Sequence, residues 1–524
     1  MKNLKTICIV IMALLSVSLA WTGGQAEAKS DTEVLRVAFP THVANLDPQS
    51  MTSNPSAHML YSIHDTLILR HPYGPPLKLE PGLATSWKWI EPTIMEFKLR
   101  PGVKFHDGTT MTADDVAFSL NRMFQGTHPD FSSVRGRWFR NFEQVDVVDP
   151  LTVRIHVKRP EPLAEMLLSV EQASIVSKAH VKRVGHDAAK TAVIGAGPYK
   201  IVSFTINQEL VVERFDDYWG KKAPLKRIQF IAIPEISSRI TALVNNEVDF
   251  ILQIPPDQEV ALEGRPGIKK LGVVWPMFHS YVLNMYRSPT DNQKIRLAMK
   301  LAVDRKKLVQ GLWAAKGKVP KVSYQFPEYG EPLYMPDLEL IKYDPERARQ
   351  LVKESGYDGT PIVVAYRPYY YTQGNLVVQA TAEMWEKVGL RVKLQAVDGY
   401  TTDMTGINVR PWSNDLSFPD PMGCFDTHWS HTDWPVRYKM FKGPEHPKWN
   451  MLYEKARFST DVKERREAYR ELLTIAEKEV AGWILLYQPY EAFAMRSDIE
   501  WKIPNMYRPY LLSFRAGQIG FKKK

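Results

Sequence analysis

MEFKLRPGVKFHDGTTMTADDVAFSLNRMF, running from Met95 to Phe124, is the stretch from which the fold is read. Met95, Phe97 and Leu99 alternate with Glu96, Lys98 and Arg100, the period of a half-buried strand. Pro101-Gly102 turns the chain, Val103 to Phe105 predicts a short second strand, and Asp107-Gly108 turns it again. Thr112 then caps a helix, Asp115 completes a capping box, and Val116, Leu120 and Met123 share one face.

Outside this segment the same alternation recurs. Leu35 to Phe39, Leu151 to Val157, Tyr199 to Phe204, Leu210 to Arg214 and Val248 to Leu252 read as strands, and Ile228 to Ile233 is an apolar run. Helices are clearer in the second half: Asn292 to Val303, Asp304 to Trp313, Asp344 to Gly356 with proline at its first turn, Asn375 to Val388, and Asp461 to Val480. Strands interleaved with helices indicate α/β lobes. No Gly/Ser-rich linker separates them, so ordered hinge strands are expected rather than a flexible tether.

The bulk numbers narrow the class. With 524 residues, 44% hydrophobic and 24% charged, the chain is globular and too long for one core; roughly two to four domains are expected. The net charge of +10 is read as a solvated surface. No basic run is interleaved with aromatics, so nucleic acid is not an expected partner, and Lys522 to Lys524 reads as a solvated tail. Lys2 and Lys5, the apolar run Ile7 to Ala20, and Ala26-Glu27-Ala28 form a secretory signal, residues 1–28, with cleavage after Ala20 as the alternative. Cys8 goes with it, leaving Cys424 with no disulfide partner. Neither cleavage site is followed by a cysteine that could carry a lipid anchor, which points to the periplasm.

Residues 95–124, together with Pro81-Gly82-Leu83-Ala84-Thr85-Ser86-Trp87 upstream, resemble the signature of the family 5 solute-binding proteins of ABC importers, whose members carry peptides, nickel or opines. The resemblance implies a two-lobed periplasmic-binding-protein-like fold of the large peptide-binding kind. It places lobe 1 at 29–283, with a subdomain inserted at about 67–194, and lobe 2 at 284–487. Residues 488–524 return to complete lobe 1, and hinge strands lie near Tyr281 to Asn284 and Ile484 to Gln488. It also implies a monomer that captures a small peptide-like ligand and hands it to a permease in the inner membrane.

Motifs for catalysis are missing: there is no Gly-x-Ser-x-Gly elbow, no phosphate-binding Gly-x-x-x-x-Gly-Lys-Ser/Thr and no His-Glu-x-x-His. An enzyme is not expected, and no cofactor is assigned. The one metal-like spacing is Cys424-x-x-x-His428-x-x-His431, with Asp426 and Asp433 nearby. It matches no standard site, lies among turn residues, and is read as loop side chains.

Two charged residues carry the ligand expectation. Arg367, in Tyr366-Arg367-Pro368-Tyr369, resembles the arginine that holds the ligand carboxylate in dipeptide-binding relatives; a guanidinium fork pairs with a carboxylate through two bonds. Asp415, in Trp412-Ser413-Asn414-Asp415, resembles the aspartate that binds the ligand ammonium, with Asp420 as its rival because two extra residues precede Asp420-Pro421. Trp412, Tyr369 and Tyr400 are expected as stiff apolar walls of the cleft. Gln49 and Met51, in the segment after Asp47-Pro48, resemble residues that pair with an extended peptide through the main chain. Arg137 and Trp138 fall where relatives also line the cleft.

Overall fold

The computed structural model describes residues 34–40, 45–50, 54–71, 77–125, 136–368, 370–398, 405–424, 430, 436, 438–503, 514–515 and 518–522. The expected signal segment lies outside them.

Among the described residues, seven strands form the sheet of the first lobe. From edge to edge they are Ile268–Val274, Tyr490–Arg496, Phe250–Ile254, Val34–Phe39, Arg227–Ala232, Glu209–Arg214 and Tyr199–Thr205. Val34–Phe39 runs parallel to both its neighbours, and the outer pairs are antiparallel. A second sheet of five strands orders Val392–Ala396, Ile362–Tyr366, Val409–Asp415, Met277–Leu283 and Trp483–Tyr487. Both carry helices on their faces, the arrangement a mixed α/β sheet needs to bury its two sides.

The chain passes between the sheets at Trp275-Pro276 and at Gln488-Pro489. The two crossings touch: the Trp275 N–H donates to the Pro489 carbonyl at 3.2 Å. The expected hinge at Tyr281 to Asn284 and boundary at Leu283 are therefore displaced. Met277–Leu283 pairs with Val409–Asp415 and Trp483–Tyr487, so it is an interior strand of the second sheet. Its full burial hid the change of sheet from a periodicity reading.

The tail of the chain is tied to the first lobe by Arg515. Its Nη2 donates to Asp65 Oδ1 at 2.5 Å, to the Tyr61 carbonyl at 2.8 Å and to the His64 carbonyl at 2.9 Å. Desolvation raises the Asp65 pKa while Arg515 opposes the rise. Phe514 packs edge-on against Phe230, with ring centroids 5.3 Å apart.

Residues 95–124 fold largely as their pattern asks. Ile94–Leu99 is a strand with Met95, Phe97 and Leu99 buried, in a sheet ordered Ala84–Glu91, Ile94–Leu99, Thr152–Val157, Phe142–Asp149. The helix Ala113–Phe124 buries Val116, Leu120 and Met123. The Asp115 carboxylate accepts from the Thr112 backbone N–H at 3.0 Å, and its second oxygen caps the neighbouring helix through the Lys178 N–H at 2.9 Å. Asn121 pins the helix to Val145 by bonds of 2.8 and 3.2 Å to its backbone. The expected strand at Val103 to Phe105 is only an isolated bridge between Lys104 and Thr110, because Asp107-Gly108 reverses the chain before a ladder can extend.

The expected long helix from Asp461 also divides. An α-helix spans Val462–Ile475, and Ala476–Val480 widens into a π-turn. Buried Glu477 sits in that turn. It pairs with buried Lys300 at 2.7 Å, and accepts from the Ser323 hydroxyl at 2.9 Å and the Ile341 N–H at 3.0 Å. A wider turn lets one carboxylate meet all three partners.

Candidate functional site

Strand direction locates the site. Ile362–Tyr366 is parallel to Val392–Ala396 and Val409–Asp415, whereas Met277–Leu283 is antiparallel to Val409–Asp415 and to Trp483–Tyr487. Tyr366, Ala396, Asp415, Met277 and Tyr487 therefore share one edge of the second sheet. By the same logic Phe39, Ala232, Ile254, Val274 and Tyr490 share one edge of the first. The crossings at Trp275-Pro276 and Gln488-Pro489 join these two edges, and carboxyl ends of strands are where α/β sheets receive ligands.

Polar contacts bridge the lobes beside the crossings. Gln373 Nε2 donates to Asp257 Oδ1 at 3.0 Å, and Lys316 pairs with Glu259 at 2.8 Å. Lys316 also lies 5.2 Å from the centroid of the Tyr490 ring. The Trp275 indole N–H donates to Glu491 at 2.9 Å. Desolvation pushes the Glu491 pKa up to about 8, against the lowering effects of the Trp275 bond and Arg239, so this carboxyl is largely protonated at neutral pH.

On the second lobe, Arg367 is exposed just beyond Ile362–Tyr366, with its guanidinium 5.2 Å from the centroid of the Tyr370 ring. Tyr370 meets Tyr371 edge-on at 4.7 Å, and the Tyr371 hydroxyl donates to Ser413 Oγ at 3.3 Å. Asp415, half-buried, ends the strand two residues beyond Ser413 and so lies on the same face. The arginine loop and the aspartate strand end are thus stitched together. Trp412 points to the opposite face, where Arg410 stacks on it at 4.7 Å from the ring centroid and the ring packs on the apolar core.

The rival aspartate has another task. Asp420 is buried, pairs with Arg465 at 2.7 Å and accepts from the Tyr469 hydroxyl at 2.9 Å and the Met422 N–H at 2.9 Å. Gln49 is likewise spent inside the fold. Its Nε2 donates to the Gln172 and Ser174 carbonyls at 3.0 and 2.7 Å, and its Oε1 accepts from Arg122. Trp138 is buried edge-on against Phe418 at 5.8 Å. Met51, Tyr369, Tyr400 and the side chain of Arg137 lie outside the described residues.

For the metal-like spacing, His428, His431, Asp426 and Asp433 also lie outside the described residues. Cys424 is buried, and desolvation followed by Asp415 raises its pKa well above the ordinary thiol value, which opposes formation of a ligating thiolate. Among the described residues no cluster of three potential ligands occurs.

Sequence reading did not single out His279. It lies opposite Ser413 and Tyr487, accepts or donates at 3.2 Å with the Tyr487 hydroxyl, and faces Tyr371 at 4.8 Å. Desolvation lowers its pKa to about 3, so the imidazole is neutral. Asp257, Gln373, Lys316 and Glu259 were also missed. Their partners come from distant segments, and no local motif marks them.

Two α/β lobes are joined by paired crossings, with charged and aromatic groups at the strand ends beside them. The family model "Bacterial extracellular solute-binding proteins, family 5 Middle" matches residues 78–435, and the chain belongs to this family. It is 28% identical over 373 residues to the glutathione-binding protein GsiB of Pectobacterium atrosepticum, with 69% of each chain covered. The structure is similar to the periplasmic binding protein DppA of Helicobacter pylori in complex with the peptide STSA. There the TM-score is 0.81 at 22% identity, covering 94% of this chain and 98% of that one. It is also similar to NikZ of Campylobacter jejuni in complex with Ni(L-His), with a TM-score of 0.79 at 18% identity over 92% and 98%. Among the described residues no helix is long and apolar enough to cross a membrane.

Proposed function

We propose that the chain is the periplasmic substrate-binding component of an ABC importer that captures a small peptide-like ligand between its lobes. The observation that carries this reading is the Tyr371–Ser413 bond. It couples a loop bearing a cation, Arg367, to a strand end bearing an anion, Asp415, on one edge of one sheet. Opposite charges at a fixed separation suit a zwitterion. Arg367 would hold the carboxylate and Asp415 the ammonium, while aromatic surface accepts varied side chains. Closure removes water from the cleft and strengthens both contacts, and the closed form is the one a membrane permease would receive. Glutathione and STSA, the ligands named for GsiB and DppA, are peptides, which supports the cargo class.

Export through a cleaved signal, a monomeric state and the absence of catalysis complete the proposal. The test is calorimetric titration of refolded, ligand-free protein with di- to pentapeptides. Binding that weakens at least tenfold in Arg367→Ala and in Asp415→Ala supports the assignment. Unchanged affinity in both variants removes it. Saturable binding of an opine, a nickel chelate or an oligosaccharide in place of peptides would keep the transport role and replace the cargo.

A further inference from the structure

The inserted subdomain reaches across to the second lobe. Glu161 and Arg457 form an ion pair whose side chains are 0% and 3% exposed, with one arm of 2.9 Å. Glu161 is held for this contact by the Asn141 side chain at 3.2 Å and the Leu163 N–H at 3.1 Å. Arg70 donates to the Ser417 carbonyl at 2.6 Å, Arg140 to Ser430 Oγ at 3.0 Å, and Trp138 packs edge-on against Phe418. Around them Phe97 and Leu120 of the subdomain share one continuous apolar core with Phe418, Leu452 and Tyr453 of the second lobe.

The same subdomain is fastened to the first lobe. Arg122 pairs with Asp47 at 3.0 Å, both side chains buried, and the Ile175 N–H donates to the Asp65 carbonyl at 3.0 Å. His106 donates its backbone N–H to the Gly195 carbonyl at 3.0 Å, next to the point where the chain re-enters the first lobe. The subdomain is therefore a strut spanning both lobes, and opening the cleft must break an attachment at one end of it. The first-lobe side combines chain connection with backbone bonds. The second-lobe side is held by side-chain contacts, without backbone-to-backbone bonds among the described residues, and by the apolar surface the two share.

We propose that the subdomain's contact with the second lobe, centred on Glu161–Arg457, is a closing latch that forms and breaks with lobe movement and sets the population of the closed form at a distance from the ligand groups. Removing one member leaves the other charge buried and unpaired in the closed form alone, so the balance moves towards the open form. Replacing both by apolar residues removes that desolvation cost and moves it back. The proposal builds on lobe closure but not on the peptide assignment, and a readout without ligand keeps the two separable.

The test uses double electron–electron resonance on ligand-free, full-length protein spin-labelled at Lys200→Cys in the first lobe and Lys387→Cys in the second. Arg457→Met should lower the closed-distance population several-fold relative to the parent. Glu161→Leu combined with Arg457→Leu should raise it at least to the parental level, and Lys178→Ala, at an exposed pair with Asp114 inside the subdomain, should change it less than twofold. Far-UV circular dichroism establishes that each variant is folded. Should Arg457→Met fail to fold, Glu161→Gln takes its place in the comparison. Coincident distance distributions in the parent, the single variant and the paired variant would overturn the latch.

Discussion

Residues 95–124 and residues 409–424 are built on opposite principles. In the first, the decisive contacts are local: Thr112 is capped by Asp115 three residues on, and buried side chains recur at the spacing of their own strand or helix. In the second, two aspartates five positions apart have different fates because of partners far along the chain. Asp420 is enclosed by Arg465 and Tyr469, while Asp415 stays half-buried at the strand end beside Ser413. The first segment is specified by short-range pattern, whereas the roles within the second are fixed only by assembly.

The contrast is sharpest at the two aspartates. Asp420→Ala should cost about 3–5 kcal/mol of stability, because it strands the buried Arg465 charge. Asp415→Ala, at a half-buried strand end, should cost clearly less, about 0–1 kcal/mol. Chemical denaturation of both variants checks this pair, and equal losses would erase the distinction. In the scaffold region, Phe97→Ala should cost about 3–5 kcal/mol through the cavity it leaves, read by the same measurement.

The fold was legible where one pattern sufficed. The strand at Met95 to Leu99, the capped helix after Thr112 and the helix after Asp344-Pro345 are each specified by their own residues. The point where the chain changes sheets was not legible, because every residue of Met277–Leu283 is buried and no alternation marks which sheet it joins. The proposed site was read in the sequence as two charged residues in motifs, Arg367 and Asp415. It was not legible as a choice between Asp415 and Asp420, nor as the contacts of Gln49, whose partners Arg122, Gln172 and Ser174 lie on other elements.

Smaller effects follow from pH. Glu491 has its folded pKa raised to about 8, so its contribution to stability is full at acid pH and is lost as pH rises through that value. Glu491→Gln should therefore gain roughly 1–3 kcal/mol relative to the parent at pH 8 and above, and little at pH 5, in melting curves taken at both. His64 and His106 behave in the reverse sense. Burial lowers them to about 3 and about 4, so their contribution is present above the unfolded value and lost as pH falls from there towards the folded one. Each should take away roughly 1–2 kcal/mol by pH 5. His64→Gln should flatten the acid limb of the stability profile, and an unchanged limb would show that these rings are not held neutral.

The charged strand ends of the second lobe are held to select a peptide-like cargo, and native mass spectrometry of protein purified from its own host puts that claim to the proof. The expected result is a set of adducts whose masses resolve into short peptides and which disappear in Arg367→Ala and Asp415→Ala. A co-purified metal chelate or glycan, or peptide adducts that persist in both variants, would contradict it.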